Sequence, residues 1–231
     1  MLDLIGAFGL GAVLVADLAV LVGLAALRPA EKGIAFAAAS IWTIAIVAMA
    51  TTGAFAPGVM GPIPAPPLVF AVLAIAGVAG WLWSERFRNA LLSLPLAALV
   101  GVNAFRIGGV FFLIAHAQGR LAAPFALSAG WGDIITGIVA IPLAAMAAAK
   151  KPPPNWVLAV WNVFGALDLL AALTLALLSA PGTPFRLFME PPGSELMTTF
   201  PWAGVATLLV PLYLLTHLTV AVRLSRSSRP R

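Results

Sequence analysis

The feature that most constrains this chain is a succession of long apolar stretches separated by short polar turns. A sliding window of about 20 residues, the length that a helix needs to cross a bilayer, finds seven of them. They lie near residues 4 to 27, 34 to 56, 67 to 84, 91 to 117, 127 to 149, 156 to 180 and 201 to 223. Because lipid cannot satisfy free backbone amides, such segments must be helices. The predicted fold class is therefore all-α, a polytopic membrane protein with a bundle of seven transmembrane helices.

The composition indicates a chain whose main solvent is lipid. Hydrophobic residues make up 62% of the sequence and charged residues 9%, whereas soluble domains are about half apolar and about a quarter charged. The chain has no cysteine, which excludes disulfides, thiolate metal ligands and a thiol nucleophile. We expect a single domain over residues 1–231, with a basic cytoplasmic tail at residues 224–231 and the lipid bilayer as its surroundings.

The basic residues predict the orientation of the bundle. They concentrate in the first, third and fifth connections and in the tail, which hold Arg28, Lys32, Arg86, Arg88, Lys150, Lys151, Arg223, Arg226, Arg229 and Arg231. The other connections hold Arg120 and Arg186. Since basic loops stay in the cytoplasm, we expect the amino terminus outside and the carboxyl terminus in the cytoplasm. The scatter of these charges over short turns also argues against a nucleic-acid partner, despite a net charge of +5.

Several ionisable side chains fall at depths where lipid makes them costly, by roughly 2.5 to 3.5 kcal/mol each on insertion scales. Such a group requires a partner, a water-filled cavity or a function. Counting helix rise from the span ends places most of them near the middle of the bilayer. The predicted ligand-binding or proton-binding residues are Asp17, Asn103, Arg106, Asp133, Trp161, Asp168, Tyr213 and His217.

Arg106 is the basic residue at this depth, and three carboxyl groups compete for it. One arginine cannot neutralise Asp17, Asp133 and Asp168 together, so at least one of them is expected to be protonated or to face water. Small residues on the same helix faces, such as Gly109 beside Arg106, allow a second helix to approach closely. The cluster is interpreted as a ligand or proton site. The alternative is a buried ion pair that only fixes the helix register.

His217 also has two interpretations. Its ring either forms a hydrogen bond with the hydroxyl of Thr216 or Thr219, or it takes part in a proton relay. Pro211, about one and a half turns earlier, is expected to kink the seventh helix. Trp161 lies deep enough in its span to line a hydrophobic pocket.

Two of the outer connections have a distinct composition. The second, residues 53 to 67, is uncharged and rich in glycine and proline, so we expect it to lie against the bilayer or the bundle. The sixth, residues 181 to 200, is the only one long enough to act as a lid. Tryptophans near the span ends are interpreted as interfacial anchors: Trp81, Trp83, Trp156 and Trp202.

Several protein classes are excluded by residue type and position. Retinal needs a Schiff-base lysine in the last span, but the lysines are Lys32, Lys150 and Lys151 in polar turns. A haem between His116 and His217 is excluded because the two residues differ in depth by roughly 20 Å of helix rise. Motifs for nucleotide binding and hydrolysis are missing from the sequence. We expect no cofactor and no metal site.

The carboxyl-terminal half carries a set of short motifs. They are Arg106-x-x-Gly109, Gln118-Gly119-Arg120-Leu121, Pro124-Phe125-Ala126, Gly130-Trp131-Gly132-Asp133, Trp161-Asn162-x-x-Gly165-x-x-Asp168, and Val210-Pro211 followed by His217. In these motifs, which cover roughly spans four to seven, the chain resembles a group of uncharacterised small bacterial multi-pass inner-membrane proteins. The resemblance implies the bacterial inner membrane and carries no activity.

Three functions remain open. The first is a small-molecule or proton-coupled carrier or ligand-binding protein, with Arg106 as a clamp for an anion or carboxylate and with Asp133 and Asp168 as proton or cation groups. The second is an intramembrane acid/base enzyme on a lipophilic substrate, such as an isomerase or terpenoid cyclase. A cavity open to lipid and lined by Trp131 or Trp161 would favour it. The third is a structural or accessory subunit. We carry the first forward.

Overall fold

The computed structural model describes residues 1–63 and 65–227, and this part of the chain is all-α. Seven of its helices are long and apolar enough to cross a membrane: Leu2–Leu24, Pro29–Thr51, Ala65–Trp83, Leu96–Ala117, Ala123–Ala148, Asn155–Leu178 and Val205–Ser227. We number these spans in chain order. Extended pairing among the described residues is limited to one isolated bridge between Gly58 and Gly61. The predicted all-α fold with seven spans is confirmed.

The first, third and fifth connections meet the end of the seventh span at one end of the bundle. The backbone N–H of Ala26 donates to Ser93 Oγ at 2.9 Å. The amide of Asn155 donates to Ser227 Oγ at 3.2 Å. We call this the basic end, because the connections that meet there carry most of the arginines and lysines. Arg229 and Arg231, which were counted with it, lie outside the described residues.

The amino terminus and the even-numbered connections meet at the opposite end, which we call the loop end. Asp3 Oδ1 accepts hydrogen bonds from Arg120 Nη2 at 2.8 Å and from Trp202 Nε1 at 2.7 Å. The backbone N–H of Ala122 donates to Gly193 O at 3.0 Å. Trp202 is buried inside this end. Its interpretation as an interfacial anchor is therefore wrong, because its indole donates to Asp3 and packs in the core of the bundle.

The third connection is a helix instead of the predicted turn. Helix Glu85–Ser93 begins after Ser84, whose hydroxyl accepts a hydrogen bond from the backbone N–H of Phe87 at 3.2 Å. Leu94 then adopts an extended conformation, as residues before proline do. The fourth span consequently begins at Leu96, after Pro95, and not near residue 91 as predicted.

Two spans depart from regular α-helical geometry. The fourth is α-helical over Leu96–Gly101, 3-10 helical over Val102–Gly109 and α-helical again over Val110–Ala117. The seventh opens with a π-helical turn, Val205–Leu209, and continues as an α-helix over Val210–Ser227. Irregular turns within helices often mark functional sites. Both spans supply residues to the polar cluster described below.

Pro211 explains where the irregular geometry of the seventh span lies. Proline has no backbone N–H, so the carbonyl of Thr207, four residues earlier, lacks its usual helical donor. The indole Nε1 of Trp42 donates to this carbonyl at 3.3 Å. The second span thereby supplies a donor in place of the N–H that Pro211 lacks.

The seventh helix is longer than predicted at its basic end. It continues to Ser227, so the tail predicted at residues 224–231 begins inside the helix, and its last four residues lie outside the described part of the chain. The guanidinium of Arg223 donates to the carbonyls of Leu92 and Leu94, which anchors this helix to the third connection.

The second and sixth connections cover the loop end of the bundle. Phe55 in the second connection is fully buried, so this loop packs against the helices. In the sixth connection, Ser194 Oγ donates to Ala176 O at 2.7 Å, and the side chains of Leu196 and Met197 are buried. Both connections line a cavity that leads towards the polar cluster.

Candidate functional site

Arg106 is the centre of a buried polar cluster that the fourth to seventh spans form. Its side chain is 1% exposed. Nε donates to Asp133 Oδ1 at 2.7 Å, and Nη2 donates to Asp168 Oδ2 at 2.6 Å. Arg106 therefore bridges two of the three predicted acids, one from the fifth span and one from the sixth.

The remaining nitrogen of Arg106 faces the sixth and seventh spans. Nη1 donates to Gly165 O at 3.0 Å and lies 3.1 Å from His217 Nε2. An arginine has five N–H donors and no acceptor. Protein acceptors use four of them here, so the guanidinium is nearly saturated by its surroundings.

These contacts fix the proton on His217. Because Arg106 can only donate, Nε2 of His217 is an acceptor, and the proton of the neutral ring is on Nδ1. Nδ1 donates to Asn162 Oδ1 at 3.0 Å. The expected hydroxyl partners, Thr216 and Thr219, donate to backbone carbonyls of their own helix instead. Hydrogen bonding of His217 to a threonine is therefore contradicted, because Arg106 and Asn162 occupy both ring nitrogens.

Trp161 closes the cluster on the side of the basic end. Its Nε1 donates to Thr136 O at 3.1 Å, and its ring centroid lies 5.1 Å from that of His217. It packs with Ala140 and Leu158 in a buried apolar core. The structure thus places Trp161 as packing behind the cluster and not in the wall of a described cavity.

Glycines allow the spans to approach each other at the cluster. A Cβ on Gly132 would lie 1.7 Å from Asp168 Oδ1, and one on Gly165 would lie 2.6 Å from His217 Cε1. A Cβ on Gly109 would lie 2.5 Å from the nearest side-chain atom of the fifth span. Real Cβ atoms do not tolerate such distances, so only glycine permits this arrangement.

Asn103 joins the fourth and seventh spans on a neighbouring face. Its Nδ2 donates to Leu99 O at 3.0 Å and to Thr216 Oγ1 at 3.1 Å. Its Oδ1 is buried without a hydrogen-bond partner among the described residues. Asn103 therefore supports the seventh span beside the cluster.

Asp17 does not join the Arg106 cluster. It is 0% exposed, and its carboxyl group faces the hydroxyl of Tyr213 in the seventh span. Neither the two carboxyl oxygens nor the phenol oxygen has a hydrogen bond of ordinary geometry within the described chain. The structure thus separates the predicted set into the Arg106 cluster and an Asp17–Tyr213 pair.

Two cavities lie on the loop-end side of the cluster. One, of about 120 Å³, is lined by Arg106, Asp133, Tyr213 and residues of the first span. The other, of about 60 Å³, extends from Asp133 to Phe55 and Ser194 in the second and sixth connections. Asp133 lines both cavities, and its side chain is 14% exposed. It is the most accessible charged member of the cluster.

Sequence reasoning did not assign Asn162, Thr136 or Gly132 to the site, although Asn162 and Gly132 occur in the motifs of the carboxyl-terminal half. Asn162 carried a usable signal, because an amide inside an apolar span requires a partner. Thr136 and Gly132 carried none on their own, since the first receives a bond at its backbone carbonyl and the second matters by having no side chain. No group of three or more potential metal ligands occurs in the described residues.

Comparison with known proteins places the chain in a family. Residues 63–225 match the model of the family described as "Domain of unknown function (DUF8737)". This range includes the whole Arg106 cluster and begins after the first two spans. No curated protein and no solved structure matches the chain. Because the match covers well over half of its length, the chain belongs to the DUF8737 family.

Proposed function

We propose that this protein is a multi-pass protein of the bacterial inner membrane that binds a small molecule beside Asp133, as a ligand-binding protein or a carrier. In this proposal the loop end faces outwards and the basic end faces the cytoplasm. The observation that supports it is the position of Asp133, which belongs to the buried Arg106 cluster and also lines both cavities.

The charges of the cluster suggest what the ligand carries. With both carboxylates ionised, Arg106, Asp133 and Asp168 have one negative charge in excess. Four of the five N–H donors of Arg106 are already bonded to protein acceptors, so only one remains for an anionic ligand. The remaining walls are largely apolar. The fitting ligand is a small, mostly apolar molecule with an ammonium, amine or hydroxyl group that donates to Asp133.

The enzyme interpretation has weaker support. Its aromatic wall was predicted to come from Trp131 or Trp161, whereas the aromatic residues that line the cavities are others, such as Phe112 and Trp202. Trp131 is 56% exposed on the outside of the bundle. Trp161 lies behind the cluster, and neither lines a described cavity. A purely structural role is the second candidate, because the near-complete pairing of Arg106 favours it.

The absence of cysteine makes the cavities directly testable. We would introduce single cysteines at Leu173 and Leu209, which line the two cavities, and at Leu99, which is fully buried, as a control. Each would be treated with 2-aminoethyl and 2-sulfonatoethyl methanethiosulfonate, reagents of similar size and opposite charge. We expect the cysteines at both cavity positions to react. After correction for the intrinsic reactivity of each reagent, the cationic reagent should react at least about tenfold faster than the anionic one. Asp133→Asn should remove this preference.

The outcomes separate the candidate functions. A preference for the anionic reagent would contradict the proposed ligand and support Arg106 as an anion clamp. If the cavity cysteines react no faster than Leu99→Cys, the structural role would be the candidate that remains. A carrier must also open the cluster towards the basic end, so reaction at Ala140→Cys, buried on that side, would distinguish a carrier from a binding protein.

A further inference from the structure

A second buried acid lies outside the Arg106 cluster. Asp17 is 0% exposed, and the first span surrounds it with apolar residues, including Leu14 and Leu21. No ion pair within the described part of the chain involves Asp17. Both of its oxygens also lack a hydrogen-bond donor there. The fold therefore buries a carboxyl group without the cation that an ionised form requires, and the hydroxyl of Tyr213 is the polar group that it faces.

Tyr213 is the titratable side chain that faces Asp17. Its hydroxyl is likewise buried without a partner among the described residues. Tyr213 also lines the cavity of about 120 Å³, together with Arg106 and Asp133. The phenol thus lies between Asp17 and the space in which we expect the ligand.

The oxygens of Asp17 and Tyr213 are better suited to a proton than to a metal cation. Taking a bare carboxylate out of water without a cation or donors is among the costliest burials in a protein. Calcium takes six to eight oxygen ligands and magnesium about six, whereas Asp17 and Tyr213 supply three oxygens between them. A proton needs one carboxyl oxygen and one acceptor, and the phenol oxygen of Tyr213 is unused.

We propose that the carboxyl group of Asp17 and the hydroxyl of Tyr213 form a proton-binding site, distinct from the ligand site at Asp133. Asp17 carries the proton, and Tyr213 is its hydrogen-bonding neighbour on the side of the cavity. The proposal does not depend on the identity of a ligand, because the protonated carboxyl is a property of the protein alone. It places a proton donor behind Tyr213, which lines the same cavity as Asp133.

Infrared spectroscopy of the full chain in lipid nanodiscs tests this site. We expect the carbonyl stretching band of a protonated carboxyl at neutral pH in the parent protein, and a shift of that band in D₂O. Asp17→Asn should remove it. Tyr213→Phe should keep the band and move its frequency, because the hydroxyl neighbour is gone. Asp3→Asn, which alters an ion-paired carboxylate at the loop end, should leave the band unchanged.

Three results would overturn the proposal. They are no protonated-carboxyl band in the parent protein, a band that survives in folded Asp17→Asn, and a band that disappears when sodium or magnesium chloride is added. If Asp17→Asn does not fold, as judged by size-exclusion chromatography, the frequency shift in Tyr213→Phe decides the question. An unshifted band there would assign the proton to another acid.

Discussion

The carboxylate of Asp168 lies directly against the backbone of Gly132, where a Cβ would stand 1.7 Å from Oδ1. The same carboxylate accepts a hydrogen bond from Arg106 at 2.6 Å. The position of the acid in the sixth span therefore depends on the absence of a side chain in the fifth. This dependence links helix packing to the charge arrangement of the cluster.

We predict that Gly132→Ala destabilises the protein by about 1–3 kcal/mol, the usual cost of overpacking a tight interior. The added methyl group displaces Asp168 and lengthens its contact with Arg106. Thermal unfolding in detergent measures the change. Gly11→Ala is the matched control, because a Cβ at Gly11 would meet nothing within 4 Å. Equal melting temperatures for the two variants would contradict the packing at Gly132.

Arg106→Gln should insert into the membrane but lose about 3–5 kcal/mol of stability, because it leaves two buried carboxylates without their cation. Adding Asp133→Asn and Asp168→Asn should recover most of the loss. Adding Asp17→Asn to Arg106→Gln should recover none, since Asp17 makes no ion pair with Arg106 within the described chain. Chemical unfolding of the three variants and the parent protein supplies the comparison. Recovery by Asp17→Asn would show that all three acids share one site.

Trp42→Phe should cost about 1 kcal/mol, the typical net value of one hydrogen bond. The change leaves the carbonyl of Thr207 without the indole donor that replaces the missing N–H of Pro211. Thermal unfolding again measures the effect. Trp156→Phe serves as the control, because Trp156 is 70% exposed. A similar loss in both variants would mean that the effect comes from ring size and not from the hydrogen bond.

The proposed orientation of the bundle predicts where fused reporters will be active. A fluorescent protein fused after Arg231 should fold in the cytoplasm, and alkaline phosphatase inserted in the sixth connection at Leu187 should be active outside it. The reason is the concentration of arginine and lysine at the basic end. The reverse pattern of activities would refute this orientation.

The sequence was sufficient for the number and approximate positions of the spans and for placing Arg106 among buried acids, because hydropathy and the cost of buried charge act locally. It could not assign Asp17, since the pairing of three acids with one arginine depends on how each helix is rotated. The helix Glu85–Ser93 was not predicted, because a hydropathy window detects long apolar segments and not short amphipathic helices. The buried position of Trp202 depends on Asp3, a contact across almost the whole chain.

The first span forms part of the wall of the cavity beside Arg106, through Gly6, Gly9, Leu10 and Val13. The residues that match the family begin only at residue 63. The charges of the cavity and part of its shape therefore come from different portions of the chain. A protein that kept the last five spans and exchanged the first helix would retain the same polar anchor in a differently shaped chamber. Exchanging the first helix could then change which ligands of the same charge are bound, while the polar groups that bind them stay the same.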